Sequence, residues 1–176
     1  LEDDRVTKEL EFYLYASNHA IPWVPTYMGR VIEENERIHL LMERCGVSLH
    51  DFLKRTPVST EVRSIISKQM IGIVWALGKH FGICHLDLKP GNFLWDSNRG
   101  QLRLADWGFC TIPGLRQGSL DSEKIPNYHG PELTKTIQTR LFRAPEIFLA
   151  GSKWKRSSAQ DIWSLGLCLR EIWKGS

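Results

Sequence analysis

The longest stretch of regular apolar spacing lies between residues 62 and 77. Val62, Ile65, Ile66, Met70, Ile73, Val74 and Leu77 recur in steps of three and four, with Gln69 beside Met70, the spacing of a helix that buries one stripe. Ser59-Thr60-Glu61-Val62 stands just ahead of it, where a side-chain oxygen can accept an N–H that the first turn leaves unpaired. A shorter helix is predicted over residues 7–17 (TKELEFYLYAS), stopped by Asn18-His19 and Pro22. Two β-rich runs follow, WVPTYMGRVI and RIHLLMERC, separated by the charged turn Glu33-Glu34-Asn35-Glu36, which predicts an antiparallel pair. Residues 48–54 (SLHDFLK) suit a short helix. GICHL, NFLW and LRLAD are short β-prone pieces joined by turns rich in Pro, Gly and Asn. A polar segment then runs from Thr111 to Thr139, and an apolar helix covers residues 161–173. No repeat or linker splits the chain, so one domain is expected.

Composition narrows the class. At 176 residues with 42% hydrophobic and 24% charged positions, the chain can bury a sizeable core and carries no bias towards disorder. Its 23 Lys and Arg are scattered among 20 Asp and Glu, for a net charge of +3, and no basic block predicts a nucleic-acid partner. Cys45, Cys84, Cys110 and Cys168 form no CxxC pair and no zinc spacing, so a reducing, intracellular setting in cytoplasm or nucleus is expected. No apolar run approaches the roughly 18 residues of a membrane span. The opening LEDDRVTKEL is charged and does not read as a signal peptide.

Four blocks carry candidate chemistry. His85-Leu86-Asp87-Leu88-Lys89-Pro90-Gly91-Asn92 matches six of the eight positions of HxDLKPxN. Ala105-Asp106-Trp107-Gly108 follows, its Asp nineteen residues after Asp87 (106 minus 87). Thr139-Arg140-Leu141-Phe142-Arg143-Ala144-Pro145-Glu146 and Asp161-Ile162-Trp163-Ser164-Leu165-Gly166 come next. Alone, the first could be an Asp-Lys surface turn, the third an ordinary helix start and the fourth a plain core helix. Their order and spacing argue otherwise.

Together these blocks resemble the catalytic domain of eukaryotic protein kinases of the serine/threonine type. The run Thr136-Ile137-Gln138-Thr139-Arg140 before Phe142-Arg143-Ala144-Pro145-Glu146 resembles the group containing the cyclin-dependent, mitogen-activated and SR-protein kinases. The resemblance implies an α+β, two-lobed fold. Residues 1–43 would belong to the small lobe and residues 44–176 to the hinge and large lobe, with the first part of the small lobe and the end of the large lobe missing. It implies ATP and Mg²⁺ as cofactors, a protein substrate, an activating protein partner, and no nucleic acid or membrane. In the family's pattern Asp87 aims the substrate hydroxyl and accepts its proton, while Asn92 and Asp106 hold Mg²⁺, a hard cation suited to oxygen donors. Lys89 reaches the transferring phosphate, and Thr139 supports Asp87 and Lys89. Leu40-Leu41-Met42-Glu43-Arg44-Cys45-Gly46 resembles the strand and hinge that hold adenine, with Met42 as gatekeeper and the Glu43 and Cys45 backbone on the purine edge. Glu9 is the expected partner of the ATP-binding Lys, with Glu11 as rival; a solvated helix face would explain either. The terminal Asp161 helix resembles the one whose Asp anchors the catalytic loop through its backbone.

Departures from the family pattern qualify these expectations. No glycine-rich loop or VAIK-type Lys is found, so poor phosphate transfer by this polypeptide alone is expected. Leu86 stands where many kinases carry Arg, which argues against activation by phosphorylation of the loop. Trp107 replaces Phe, and as a flat apolar packer it should still stack under the first helix. Thr136 occupies a position phosphorylated on Tyr in some members, which excludes a tyrosine switch there. Residues between Asp106 and Glu146 include the polar stretch GLRQGSLDSEKIPNYHG, read as a mobile lid or insertion. Two competing functions stay open: a pseudokinase acting as a binding scaffold, and a kinase-fold enzyme acting on small molecules.

Overall fold

The computed structural model describes residues 2–34, 38–55, 57–113, 139–149 and 156–174. Thr136, most of the polar segment and part of the charged turn lie outside the described residues. Helix α1 (Glu2–Asn18) begins earlier than the pattern of residues 7–17 implies. It ends where expected: the N–H of Ile21 donates to the Ala16 carbonyl at 3.1 Å and that of Ala20 to Ser17 at 3.3 Å, with Ala20 left-handed at φ 49. These two bonds satisfy carbonyls that the last turn would otherwise leave open.

Strands β1 (Tyr27–Ile32) and β2 (Ile38–Met42) pair antiparallel, Tyr27 opposite Met42 and Ile32 opposite Ile38, as the two β-rich runs predict. A second antiparallel sheet runs β3-β4-β5, made of β3 (Val47–Ser48), β4 (Phe93–Asp96) and β5 (Gln101–Leu104). The sequence reading assigned Ser48 to a helix. Ser48 instead pairs with Leu94, and its hydroxyl accepts the N–H of Asp51 at 3.1 Å, capping helix α2 (Leu49–Arg55). GICHL does not form a strand. Cys84 alone bridges to Thr111, because the next two N–H groups are taken by a side chain described below.

Helix α3 (Thr60–Ala76) is capped by Ser59, whose hydroxyl accepts from the Val62 N–H, an arrangement worth about 1 kcal/mol. Ile66, Met70, Ile73, Val74 and Leu77 of the predicted stripe are buried. Ile65 is 46% exposed, since it sits a full residue step, about 100°, from Ile66 around the helix. Gln69 interrupts the stripe for a reason: its side chain donates to the Gly100 carbonyl at 2.8 Å and accepts from the Leu102 N–H at 2.9 Å, fastening α3 to the second sheet. Beyond Ala76 the helix widens into a π turn (Leu77–Phe81) that stops at Gly82, φ 63, and delivers the chain to Cys84 and His85.

A short 3-10 turn (Arg140–Phe142) leads into helix α4 (Pro145–Leu149), and helix α5 (Ser158–Trp173) packs on α3. The Arg63 guanidinium donates to the Ile172 carbonyl and the Trp173 indole to Ser67. One continuous core joins Phe12 of α1, Met70 of α3, Phe93 and Leu104 of the second sheet and Cys168 of α5. The Leu104 N–H donates to the Trp23 carbonyl at 2.8 Å, tying the second sheet to the segment ahead of β1. The architecture is α+β, as expected.

Candidate active site

The loop between the π turn and β4 takes its shape from a carboxylate far along the chain. Asp161, 3% exposed at the start of α5, accepts the N–H of His85 at 2.6 Å and of Leu86 at 2.8 Å. Burial pushes its pKa up to about 6, against the pull of the two N–H groups. Leu86 itself is fully buried and left-handed, φ 63, a conformation that costs a non-glycine residue about 1–2 kcal/mol. The two bonds to Asp161 and the buried side chain hold it there.

His85 fixes the turn from inside. The Asp87 N–H donates to its Nδ1 at 3.2 Å, so the proton lies on Nε2, which faces the Ala105 carbonyl at 3.1 Å. Complete burial lowers its pKa to about 4, and the ring stays neutral. One imidazole thus joins the residue before Asp106 to the backbone of Asp87.

Asp87 is 3% exposed and surrounded by donors. Its Oδ1 accepts from the N–H of Thr139 at 2.8 Å and from the Thr139 hydroxyl at 3.0 Å. Its Oδ2 lies 2.6 Å from Lys89 Nζ and 3.4 Å from Asn92 Nδ2. Asn92 also donates to the Asp87 carbonyl at 2.8 Å. Asp106 lies opposite, its Oδ2 3.5 Å from Asn92 Nδ2 and 4.0 Å from Lys89 Nζ. It too is left-handed, φ 64. Among the described residues, two of the three non-glycine positions with positive φ therefore flank this one cluster, the usual location of stored backbone strain.

Trp107 sets Asp106 in place. It is fully buried, its ring stacked on Phe12 of α1 at 3.8 Å and 13° and meeting His85 edge-on at 4.5 Å. Its indole N–H, which Phe would lack, donates to the Leu104 carbonyl at 2.9 Å. The larger ring is accommodated without stranding a polar atom.

The other predicted positions lie around this cluster. Met42 ends β2. Glu43 follows, its N–H bonded to the Thr26 carbonyl at 2.9 Å. The Glu43 side chain turns towards β5: Oε2 accepts from the Thr26 hydroxyl at 2.9 Å, while Oε1 lies 3.2 Å from Cys45 Sγ and 3.6 Å from Arg103 Nε. Burial opposes ionisation, but the Thr26 and Cys45 bonds and the Arg103 charge hold its carboxyl below the usual range. Glu9 accepts from the Tyr13 hydroxyl at 3.3 Å, and burial, then Glu9, raises the Tyr13 pKa. Glu11 is exposed. Phe12, Thr26 and Arg103 escaped the sequence reading because their partners are distant in sequence and no local spacing marks them.

Oxygen donors from Asp106 and Asn92 on one side, a carboxylate held by Thr139 on the other, and a Lys between them can orient a hydroxyl against a phosphate. Among the described residues no group of three His, Cys, Asp or Glu could alone hold a metal. The protein kinase domain family matches residues 2–176. The chain is similar to a MAP kinase kinase kinase, wis4, of Schizosaccharomyces pombe, 33% identical over 90% of the chain and 11% of that protein. It is similar also to the mitogen-activated protein kinase mpkC of Emericella nidulans, 30% identical over 80% of the chain and 29% of that protein. Mitogen-activated protein kinase 15 of Caenorhabditis elegans is 32% identical over 79% of the chain and 28% of its own length. The chain thus spans less than a third of each of these relatives. With its motifs assembled into one cluster and the family matched over nearly every residue, the chain belongs to the protein kinase domain family.

Proposed function

We propose that the chain carries the catalytic centre of a protein serine/threonine kinase that moves the γ-phosphoryl group of ATP to Ser or Thr of a protein substrate. The observation that supports this best is the set of contacts on Asp87: Thr139 on one oxygen, Lys89 and Asn92 on the other. A carboxylate so clamped is aimed, and in phosphoryl transfer aiming the hydroxyl matters more than ionising it beforehand. Asp87 orients the substrate hydroxyl and takes its proton. Lys89 moves between Asp87 and the phosphate as a compact cation.

The donor set fits Mg²⁺. Asn92 spends its amide N–H on Asp87, which leaves its amide oxygen, and Asp106 contributes a carboxylate whose side chain is 34% exposed. A hard cation held by one or two protein oxygens, with phosphate and water completing its shell, is the usual Mg²⁺ arrangement. When bound, it neutralises charge on the phosphates. Asn92 and Asp106 are the proposed ligands. Met42 and the backbone of Glu43 and Cys45 form the proposed adenine edge, and Glu9 is the proposed partner of the ATP-binding Lys. We assign residues 1–43 to the small lobe and 44–176 to hinge and large lobe.

All four cysteines are free, which fits a cytoplasmic or nuclear kinase. Among the described residues no helix is long and apolar enough to cross a membrane. Leu86, apolar and buried, cannot read a phosphorylated loop as Arg would, which favours activation by a protein partner. The test is incorporation from Mg-ATP into a generic basic substrate by the full-length protein, beside Asp87→Ala, followed by phosphoamino-acid analysis. Phosphoserine or phosphothreonine from the wild type alone is expected. Equal incorporation by both would overturn the reading.

A further inference from the structure

Glu43 holds more contacts than a hinge residue read only for its backbone would need. Its carboxylate gathers partners from three places: hydrogen bonds from Thr26 ahead of β1 and Cys45 two residues on, and an ion pair with Arg103 of β5. The Cys45 thiol also lies 3.5 Å from the Glu43 carbonyl oxygen. Burial, then Glu43, pushes that thiol up to about 11, so it keeps its proton and remains a donor. The next residue of β5, Leu104, bonds to Trp23 through its backbone. Arg103 and Leu104 together therefore anchor the start of the small sheet and its exit to strand β5, which ends two residues before Asp106.

We propose that Thr26, Glu43, Cys45 and Arg103 form a latch that positions the hinge backbone for nucleotide and couples it through β5 to Asp106. The proposal rests on the kinase reading for its nucleotide, but the latch is a feature of the fold. The four side chains are positioning groups: none reaches the reacting atoms. Arg103 is suited to the task because its guanidinium stays charged and can span the gap to Glu43, where a neutral side chain would leave the carboxylate short of a partner.

The experiment uses the full-length protein with Arg103→Met, Arg103→Lys and Thr26→Val, read two ways. Amide hydrogen exchange over residues 43–46 should quicken roughly three- to five-fold in Arg103→Met, the scale of one partly exposed ion pair. KM for ATP should rise by about the same factor while kcat holds. Arg103→Lys should recover part of both effects, and Thr26→Val, which removes only a hydroxyl, should shift both in the same direction. Unchanged exchange in Arg103→Met, or a loss confined to kcat, would overturn the latch. A wild type that binds no Mg-ATP would overturn the kinase reading instead, while the exchange measurement still decides the latch.

Discussion

Thr139 holds one oxygen of Asp87 twice, through its backbone N–H at 2.8 Å and its hydroxyl at 3.0 Å, across 52 positions of sequence. The backbone bond survives any substitution of the side chain, so the two contributions can be separated. In Thr139→Val the hydroxyl is lost with little change of shape. A fall in kcat of about ten-fold, with KM for ATP unchanged, is expected from one hydrogen bond to a charged acceptor. Steady-state kinetics on the full-length protein check it; an unaltered kcat would show that the backbone N–H suffices.

His85 and Asp161 oppose each other as pH falls. His85 has a folded pKa lowered to about 4 from 6.5, so between those values the unfolded chain binds a proton that the folded one refuses, and stability declines with falling pH. Asp161 has a folded pKa raised from 3.8 to about 6, so the folded chain holds the extra proton and stability climbs as pH falls through the same window. Each amounts to about 3 kcal/mol in full. His85→Asn removes the first and leaves the second. Urea unfolding at pH 6.5 and pH 4.5 should show wild type losing ground to the variant as pH falls. A pH-independent difference would mean that the folded imidazole takes up a proton as readily as the unfolded one.

Gly46 admits no side chain. At φ +91, a Cβ there would stand 2.1 Å from the carbonyl oxygen of Trp95, a backbone atom of β4 that cannot swing aside. Gly46→Ala should cost roughly 2–4 kcal/mol by urea unfolding. A loss under about 0.5 kcal/mol would show that the hinge re-routes freely.

Ala20 closes α1 in the conformation glycine prefers, φ 49, with the bonding pattern of a glycine-terminated helix. Ala20→Gly should therefore stabilise the fold, by about 0.5–1 kcal/mol, since relief of left-handed strain outweighs the added freedom of the unfolded chain. Thermal unfolding checks the sign.

What the sequence disclosed follows from how the information is stored. His85 to Asn92, Asp106 and the Thr139 to Glu146 block each keep their chemistry within a few consecutive positions, so their types and spacing could be read directly, and Ser59 announced its helix in the same local way. The antiparallel pairing of β1 and β2 followed from two β-rich runs on either side of a charged turn. Contacts between distant positions were legible only where the family resemblance carried them, as for Thr139 on Asp87 and Asp161 on the loop. Nothing near Arg103 points to Glu43, and the expected packing of Trp107 under the first helix did not single out Phe12. Val47 and Ser48 form a strand only because Trp95 and Leu94 lie opposite. Gln69 looked like a flaw in an apolar stripe until its partners at Gly100 and Leu102 were known.

The loop bearing Asp87 owes its shape to Asp161, 75 and 76 positions later. During synthesis the loop emerges long before the residue that holds it, so it can reach its final form only after α5 has left the ribosome and docked on α3. Contacts of such separation form late, after the closure of large loops. An incomplete copy ending ahead of α5 would carry every residue of the Asp87, Asn92 and Asp106 cluster and still leave the His85 and Leu86 amides without their acceptor. The fold thereby ties the completion of the site to the arrival of α5.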